Sequence, residues 1–246
     1  METVRNELAP TGVLRVAIAI GPPGSPMWAT RDPATGKPRG VTLDLGAALA
    51  DKLGVPVVYV EHASTGEITE AVGKSTWDVA FMPVDDERKK RVDFGPNYSL
   101  GESTYLIAPG VVAASVAEVD RPGMRVVGVE NTTTIRAARR SLAHATVAGT
   151  TGANDTLTLM RAGKVDAIAL GRDTLEIFAA ELPGSRVLDD HFWAVGIAIA
   201  VPKGRPASLA YVSDFIEAAK SDGTVQRAFD AARLKGAKLA PAGSRS

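Results

Sequence analysis

Alternating strand-like and helix-like segments predict an α/β fold with crossover helices for this chain of 246 residues. Short β-branched apolar runs recur along the sequence, and amphipathic stretches with helical spacing separate them. Size agrees: 45% hydrophobic and 23% charged residues suffice for a substantial core, as one larger domain or two small ones.

VLRVAIAI reads as the first strand, GVTLDLGAALADKLG as an amphipathic helix closed by Gly54, and VPVVYVE as the next strand. EITEAVGKST is a helix and WDVAFMPV a buried strand, completing a βαβαβ unit. Residues 21–39, rich in Gly and Pro, form a loop long enough to be a candidate binding loop. A second unit begins near Val111. MRVVGVE, ATVAG and VDAIAL are its strands, and TTTIRAARRSL, ANDTLTLMRAG and DTLEIFAAEL its helices. SRVLDD is a short strand, WAVGIAIAV brings the chain back, and two helices within ASLAYVSDFIEAAKSDGTVQRAFDAARL finish it. The halves share an architecture but no convincing sequence repeat.

Lys and Arg number 28 against 28 Asp and Glu. A zero formal balance argues against nucleic acid or an anionic membrane surface as main partner, since such binding needs an excess of positive charge on one face. The absence of cysteine removes disulfides, thiolate metal sites and cysteine nucleophiles together. No apolar segment approaches the length of a membrane span, and METVRNELAPTGVLRVAIAI lacks a basic region followed by a long apolar one. An exported protein would have had its signal replaced by Met1; with Met1 as the native start, the chain stays in the cytoplasm.

The most informative stretch is WDVAFMPVDDERKKRVDFGPNY, residues 77–98. It places Arg88 where a strand gives way to a charged helical turn, the usual site of ligand contacts in α/β sheets. A guanidinium fork matches a carboxylate, so an arginine there is a natural anchor for an organic acid. Lys89, Lys90 and Arg91 read instead as a solvated charge run, and the same reading is open for Arg88.

This stretch resembles the signature of bacterial extracellular solute-binding protein family 3, the polar amino acid type. LRVAIAIGPPGSPMW with GKPRGVTLDLGAALADKLGV, then AGKVDAIAL, then VGIAIAVPKGRPASLAYVSDFIEAAKSDGTVQRAF follow in the family's order. The resemblance implies the two-lobe type II periplasmic-binding-protein architecture with a two-stranded hinge and an interlobe ligand cleft. Lobe 1 is then residues 1–107 and 199–246, and lobe 2 is 108–198, with the hinge near 103–109 and 196–201. It implies capture of a small carboxylate-bearing solute by hinge closure and delivery to the membrane permease of an ABC transporter. The expected protein is periplasmic and monomeric, not an enzyme, and without cofactor or metal.

By the same resemblance Arg88 is the carboxylate arginine, and Thr133 and Thr134 fall in the family's small-residue turn before a helix, where backbone N–H groups suit an anion. An ordinary helix cap is equally compatible with the threonines. Trp28 and Met27 stand where relatives stack an aromatic on the ligand. Phe81 and Met82 alternate along a strand, so one faces the core, and Met82 is kept as a ligand contact. Two departures matter. The stretch from Asp78 to Arg88 is about two residues shorter than the family form, and the slot for the acid that meets an α-amino group falls on Gly171, with Asp173 available by a two-residue slip. An empty slot implies an organic acid, or an amine placed elsewhere.

The alternatives are a cyclohexadienyl-type dehydratase on the same fold and a ligand-sensing module. Against catalysis, His62, His144 and His191 show no ligand spacing, there is no G-x-S-x-G elbow or P-loop, and GPPGSP is not a dinucleotide fingerprint. Glu67 and Glu70, three apart on a helix, read as a solvated face.

Overall fold

The architecture is seen in a computed structural model that describes residues 1–20, 25–234 and 237–246. A short helix, α1 (Glu2–Leu8), precedes strand β1 (Leu14–Ala19), and a small hairpin of β2 (Thr30–Arg31) and β3 (Pro38–Arg39) leads into α2 (Val41–Leu53). α2 buries Val41, Leu45, Leu49 and Leu53, four residues apart on one face, and ends at Gly54. That glycine sits at φ 71°, the left-handed cap that side chains disfavour. β4 (Val57–His62), α3 (Thr65–Glu70), β5 (Val79–Pro83) and the single turn α4 (Asp86–Lys89) complete the first unit.

The chain then enters β6 (Val92–Ile107), a strand of 16 residues. β7 (Arg125–Val129), α5 (Thr133–Ser141), β8 (Thr146–Thr150), α6 (Ala153–Arg161), β9 (Ala167–Gly171) and α7 (Arg172–Glu181) form the second unit. β10 (Arg186–Val187) and β11 (Trp193–Pro202) return the chain, followed by α8 (Pro206–Ser221), α9 (Thr224–Ala231) and β12 (Lys238–Leu239).

Among the described residues, the main sheet runs β4-β1-β5-β11-β6-β9-β7-β8, with β10 and β12 also paired to β6. Parallel pairing holds within each unit, β4 and β5 against β1, β8 and β9 against β7. β6 and β11 are antiparallel and join the units. The expected strands and helices are present. α1 and β12 were not foreseen, and the expected crossings, 103–109 and 196–201, are out of register with each other: Ser103 faces Trp193, and Gly196 faces Leu100.

Apolar packing divides along this line. Two clusters draw on the first unit and the returning chain, including Leu14, Leu49, Phe81, Ile199 and Phe229 in one and Ile68, Trp77 and Met82 in the other. Two more draw on the second unit, centred on Leu157, Ile168 and Phe178 and on Tyr105, Val126 and Leu188. β5 shows the strand period: Val79 and Phe81 pack on one face, Ala80 and Met82 on the other. Both of its faces are covered by helices, as expected for a central strand.

One pair of ion pairs repeats between the units. Asp78, fully buried before β5, accepts from the backbone N of Arg15 (3.1 Å), from its Nε (2.9 Å) and from its Nη2 (2.6 Å), and donates its own N–H to Arg15 O (2.9 Å). Asp166, before β9, does the same with Arg125 at 2.9, 2.9 and 2.7 Å, returning its N–H at 2.8 Å. Each aspartate ties the start of the unit's first strand to the start of its last. The equivalence was not recognised in sequence because only the two residue types recur.

Asp78→Asn should lower unfolding free energy by about 3 kcal/mol in urea titration, since it leaves Arg15 without its buried counter-charge. Arg125 holds the Asp166 carboxyl below the usual range. That contribution is complete above the unfolded aspartate pKa of about 3.9 and is lost as pH falls through the lower folded value. Asp166→Asn should therefore flatten the acid limb of a stability–pH profile.

Candidate functional site

A cavity of about 850 Å³ opens beside β6, with walls from both units. The first unit contributes Ser25, Met27, Trp28, Ser64, Thr65 and Pro83, and the second contributes Thr132, Thr133, Thr134 and the first turn of α7. Helix starts converge on it. Ser64 caps α3, its hydroxyl accepting from Glu67 N–H (3.2 Å), and Thr132 caps α5, accepting from Ile135 N–H (3.3 Å). The remaining first-turn N–H groups give that wall a partial positive charge.

Arg88 lies behind this wall. It is on α4 and fully buried, and is absent from the cavity lining. Asp85 caps α4 by accepting Arg88 N–H (2.8 Å), which turns the Arg88 side chain inward while Lys89 and Lys90 point to solvent. Nη1 donates to Pro83 O (2.8 Å) and Nη2 to Thr65 Oγ1 (2.9 Å), so the two residues it holds are themselves wall residues. Nε has no partner among the described residues. Burial pushes the guanidinium down to about 9, with Asp85 opposing and Arg136 assisting. Arg88 is therefore not a member of the solvated charge run, and its guanidinium stands behind the cavity wall instead of on it.

Thr133 is buried at the start of α5, and Thr134 shares a 3.0 Å hydroxyl contact with Ser103 of β6. Asp173, in the first turn of α7, lines the cavity and accepts a hydrogen bond from the Ser25 hydroxyl. Burial raises its pKa, opposed by the Ser25 bond and by the N–H of Thr174. Gly171 lies directly beneath: a Cβ there would meet Asp173 Oδ1 at 2.9 Å. A side chain at Gly171 and the Asp173 carboxylate therefore compete for one space.

Trp28 is half-buried and on the cavity wall, its carbonyl accepting from Thr42 Oγ1 (2.6 Å). Met82 is not. It is fully buried with Ile68 and Trp77, because strand alternation turns it into the packed face under α3. The candidate loop 21–39 contributes Ser25 through Ala29, while residues 21–24, and with them most of GPPGSP, lie outside the described residues.

Side-chain bonds connect the units around the cavity: Ser25 to Asp173, Arg136 to Asp85, and Asn131 to Glu70. At the last of these the backbones approach so closely that a Cβ on Gly66 would sit 2.6 Å from Glu130 O. Glu70 is exposed, in keeping with a solvated face, while accepting from Asn131 Nδ2, and Glu67 accepts from Ala63 N–H (2.8 Å). The Ser64-x-x-Glu67 spacing was the available signal for Ser64 and Thr65, a helix-start pattern that was passed over. Ser25 had no comparable signal. Among the described residues, no group of His, Asp and Glu side chains could hold a metal ion.

This mixed α/β fold, with a cavity walled from two units, is that of the periplasmic amino-acid-binding proteins. A crystal structure of an ancestral amino acid-binding protein, described as a precursor of cyclohexadienyl dehydratase, superposes with a TM-score of 0.78 at 25% identity, covering 92% of this chain and 97% of that one. Residues 16–231 match the profile of the bacterial extracellular solute-binding proteins, family 3, and the chain belongs to that family. A glutamine-binding protein of Geobacillus stearothermophilus is 26% identical over 68% of this chain and 64% of its own length. A glutamine-binding protein of an ABC transporter in Bacillus subtilis (strain 168) is 25% identical over 80% of this chain and 73% of its own. These relatives are named as binding proteins rather than enzymes.

Arg88→Met should cost about 1 to 3 kcal/mol in urea unfolding, because it keeps the stem but leaves the buried Pro83 carbonyl unpaired. An unchanged midpoint would show that Arg88 does not brace the wall.

Proposed function

We propose that this chain is the substrate-binding component of an ABC-type importer that captures an α-amino acid between two lobes. The supporting observation is the pairing, in one cavity, of the Asp173 carboxylate with the N–H-rich wall of Thr65, Thr133 and Thr134. An ammonium would find its counter-ion in Asp173, and a carboxylate would find hydrogen-bond donors at the helix starts, with Arg88 behind Thr65 adding positive charge. Asp173 takes the role that an acid at Gly171 would have held, so the amino group regains a partner and an organic acid is no longer required.

The lobes are residues 1–107 with 199–246, and 108–198, and they close by bending where β6 and β11 pass between the units. A ligand touching both lobes favours the closed arrangement. The protein works as a monomer at the periplasmic face of the membrane and hands its solute to a permease. The names of the glutamine-binding relatives support this reading. The dehydratase alternative is met only in what the ancestral protein preceded.

Calorimetry with L-glutamine, L-histidine and L-arginine tests the assignment. Asp173→Asn should weaken binding of the amino acid that binds by about 2 to 5 kcal/mol, as expected when one member of a buried charged pair is removed. Equal affinity in the variant would refute the ammonium site.

The raised pKa of Asp173 fixes the direction of a pH effect. An ammonium ligand needs the ionised carboxylate, so affinity should hold at neutral pH and fall as pH drops through that raised value. Asp173→Asn should remove this dependence in titrations between about pH 4 and 7.

A further inference from the structure

The family match ends at residue 231, yet the chain beyond it builds part of the cavity. α9 closes in a left-handed turn at Arg233 (φ 56°), with Leu234 N–H on Phe229 O at 3.0 Å. β12 then pairs antiparallel with Ser99 and Leu100 of β6. Farther on, Ala240 N–H reaches Tyr98 O (3.1 Å), and the buried Lys220 ammonium holds Asn97 O (3.2 Å) and Pro241 O (2.9 Å). Leu234, Ala237 and Lys238 consequently line the ligand cavity.

Lys238 faces a particular partner there. Its Nζ lies 2.8 Å from Glu102 Oε1, and the other oxygen of Glu102 accepts from Arg172 Nε at 3.2 Å. Glu102, Arg172 and Lys238 all border the cavity. Arg172 is committed elsewhere too, donating to the carbonyls of Leu188 and Asp189 at 2.9 Å each. Lys238 is the first cause holding the Glu102 carboxyl below its usual pKa, so the acid on this wall is ionised but matched.

We propose that Lys238 is a specificity-determining residue, which cancels the charge of Glu102 on the cavity wall and so disposes the site toward amino acids with neutral rather than cationic side chains. The inference rests on the amino-acid reading of the cavity. Without Lys238, Glu102 would attract a ligand cation, and Arg172 alone, shared with backbone carbonyls, would neutralise it less completely.

The experiment measures L-glutamine and L-arginine affinities by calorimetry for the full chain, Lys238→Met, Lys238→Arg and the double variant Lys238→Met/Glu102→Gln. The arginine-to-glutamine affinity ratio should rise about three- to fivefold in Lys238→Met, the scale set by a solvent-accessible ion pair. It should return toward the original value in the double variant and stay there in Lys238→Arg. The melting temperature without ligand separates this from a structural role: a rise in the ratio at unchanged melting temperature supports charge cancellation. An unchanged ratio in Lys238→Met, with the parent chain binding at least one of the two amino acids, overturns the inference alone. Failure of the parent to bind either of them, and L-histidine as well, overturns the amino-acid reading, and the inference with it.

Discussion

The dependence of both units on one strand organises this molecule. β6 extends 16 residues, about 50 Å at the rise of a strand, and is too long to belong to one unit. β11 pairs with it from Val92 to Ser103, and β9 takes over on its other edge from Ser103 to Ile107. Ser103 marks the change of neighbours, and its hydroxyl touches Thr134 at the start of α5. The cavity lies at this passage because there the sheet leaves one set of covering helices before acquiring the next. Any relative movement of the units must be accommodated in β6 and β11, whose register already shifts near Ile197 and Ala198.

Much of the fold was legible in sequence because each unit repeats a local code. Short apolar runs became β1, β5, β7 and β9, and fourfold spacing of Leu in α2 became its buried face. What escaped depends on distant partners. α1 is secured by Leu8 in the core and by Arg5 donating to Leu53 O, 48 residues away. The two residues of β12 have no pattern of their own and are strand only because β6 offers a free edge.

The site was legible to a different degree. Thr133, Thr134, Trp28 and Asp173 border the cavity, and it was the resemblance to the solute-binding family that singled them out. Arg88 and Met82 did not follow, for opposite reasons. Met82 is governed by strand period, which hides every second residue of a doubly covered strand. Arg88 stands among charges that imply exposure, but capping by Asp85 directs it inward, where hydrogen bonds to Thr65 and Pro83 offset part of its desolvation. Cooperation between Ser25 and Asp173 spans 148 residues and has no local trace.

The matched clamps of Arg15 with Asp78 and Arg125 with Asp166 bear on how such a chain can be recombined. Each links the first strand of its unit to the last with the same atoms in the same order, and Asp78 is met in addition by Arg205 (3.5 Å) from the loop after β11. A unit exchanged for another that carries such a clamp would still have to match its host along β6 and β11 and at the bonds of Ser25 with Asp173, Arg136 with Asp85 and Asn131 with Glu70. Chimeras that keep residues 15–78 together with Arg205, and residues 125–166, should therefore preserve both closures, whereas a cut between either arginine and its aspartate leaves a charge without its complement on each side of the join.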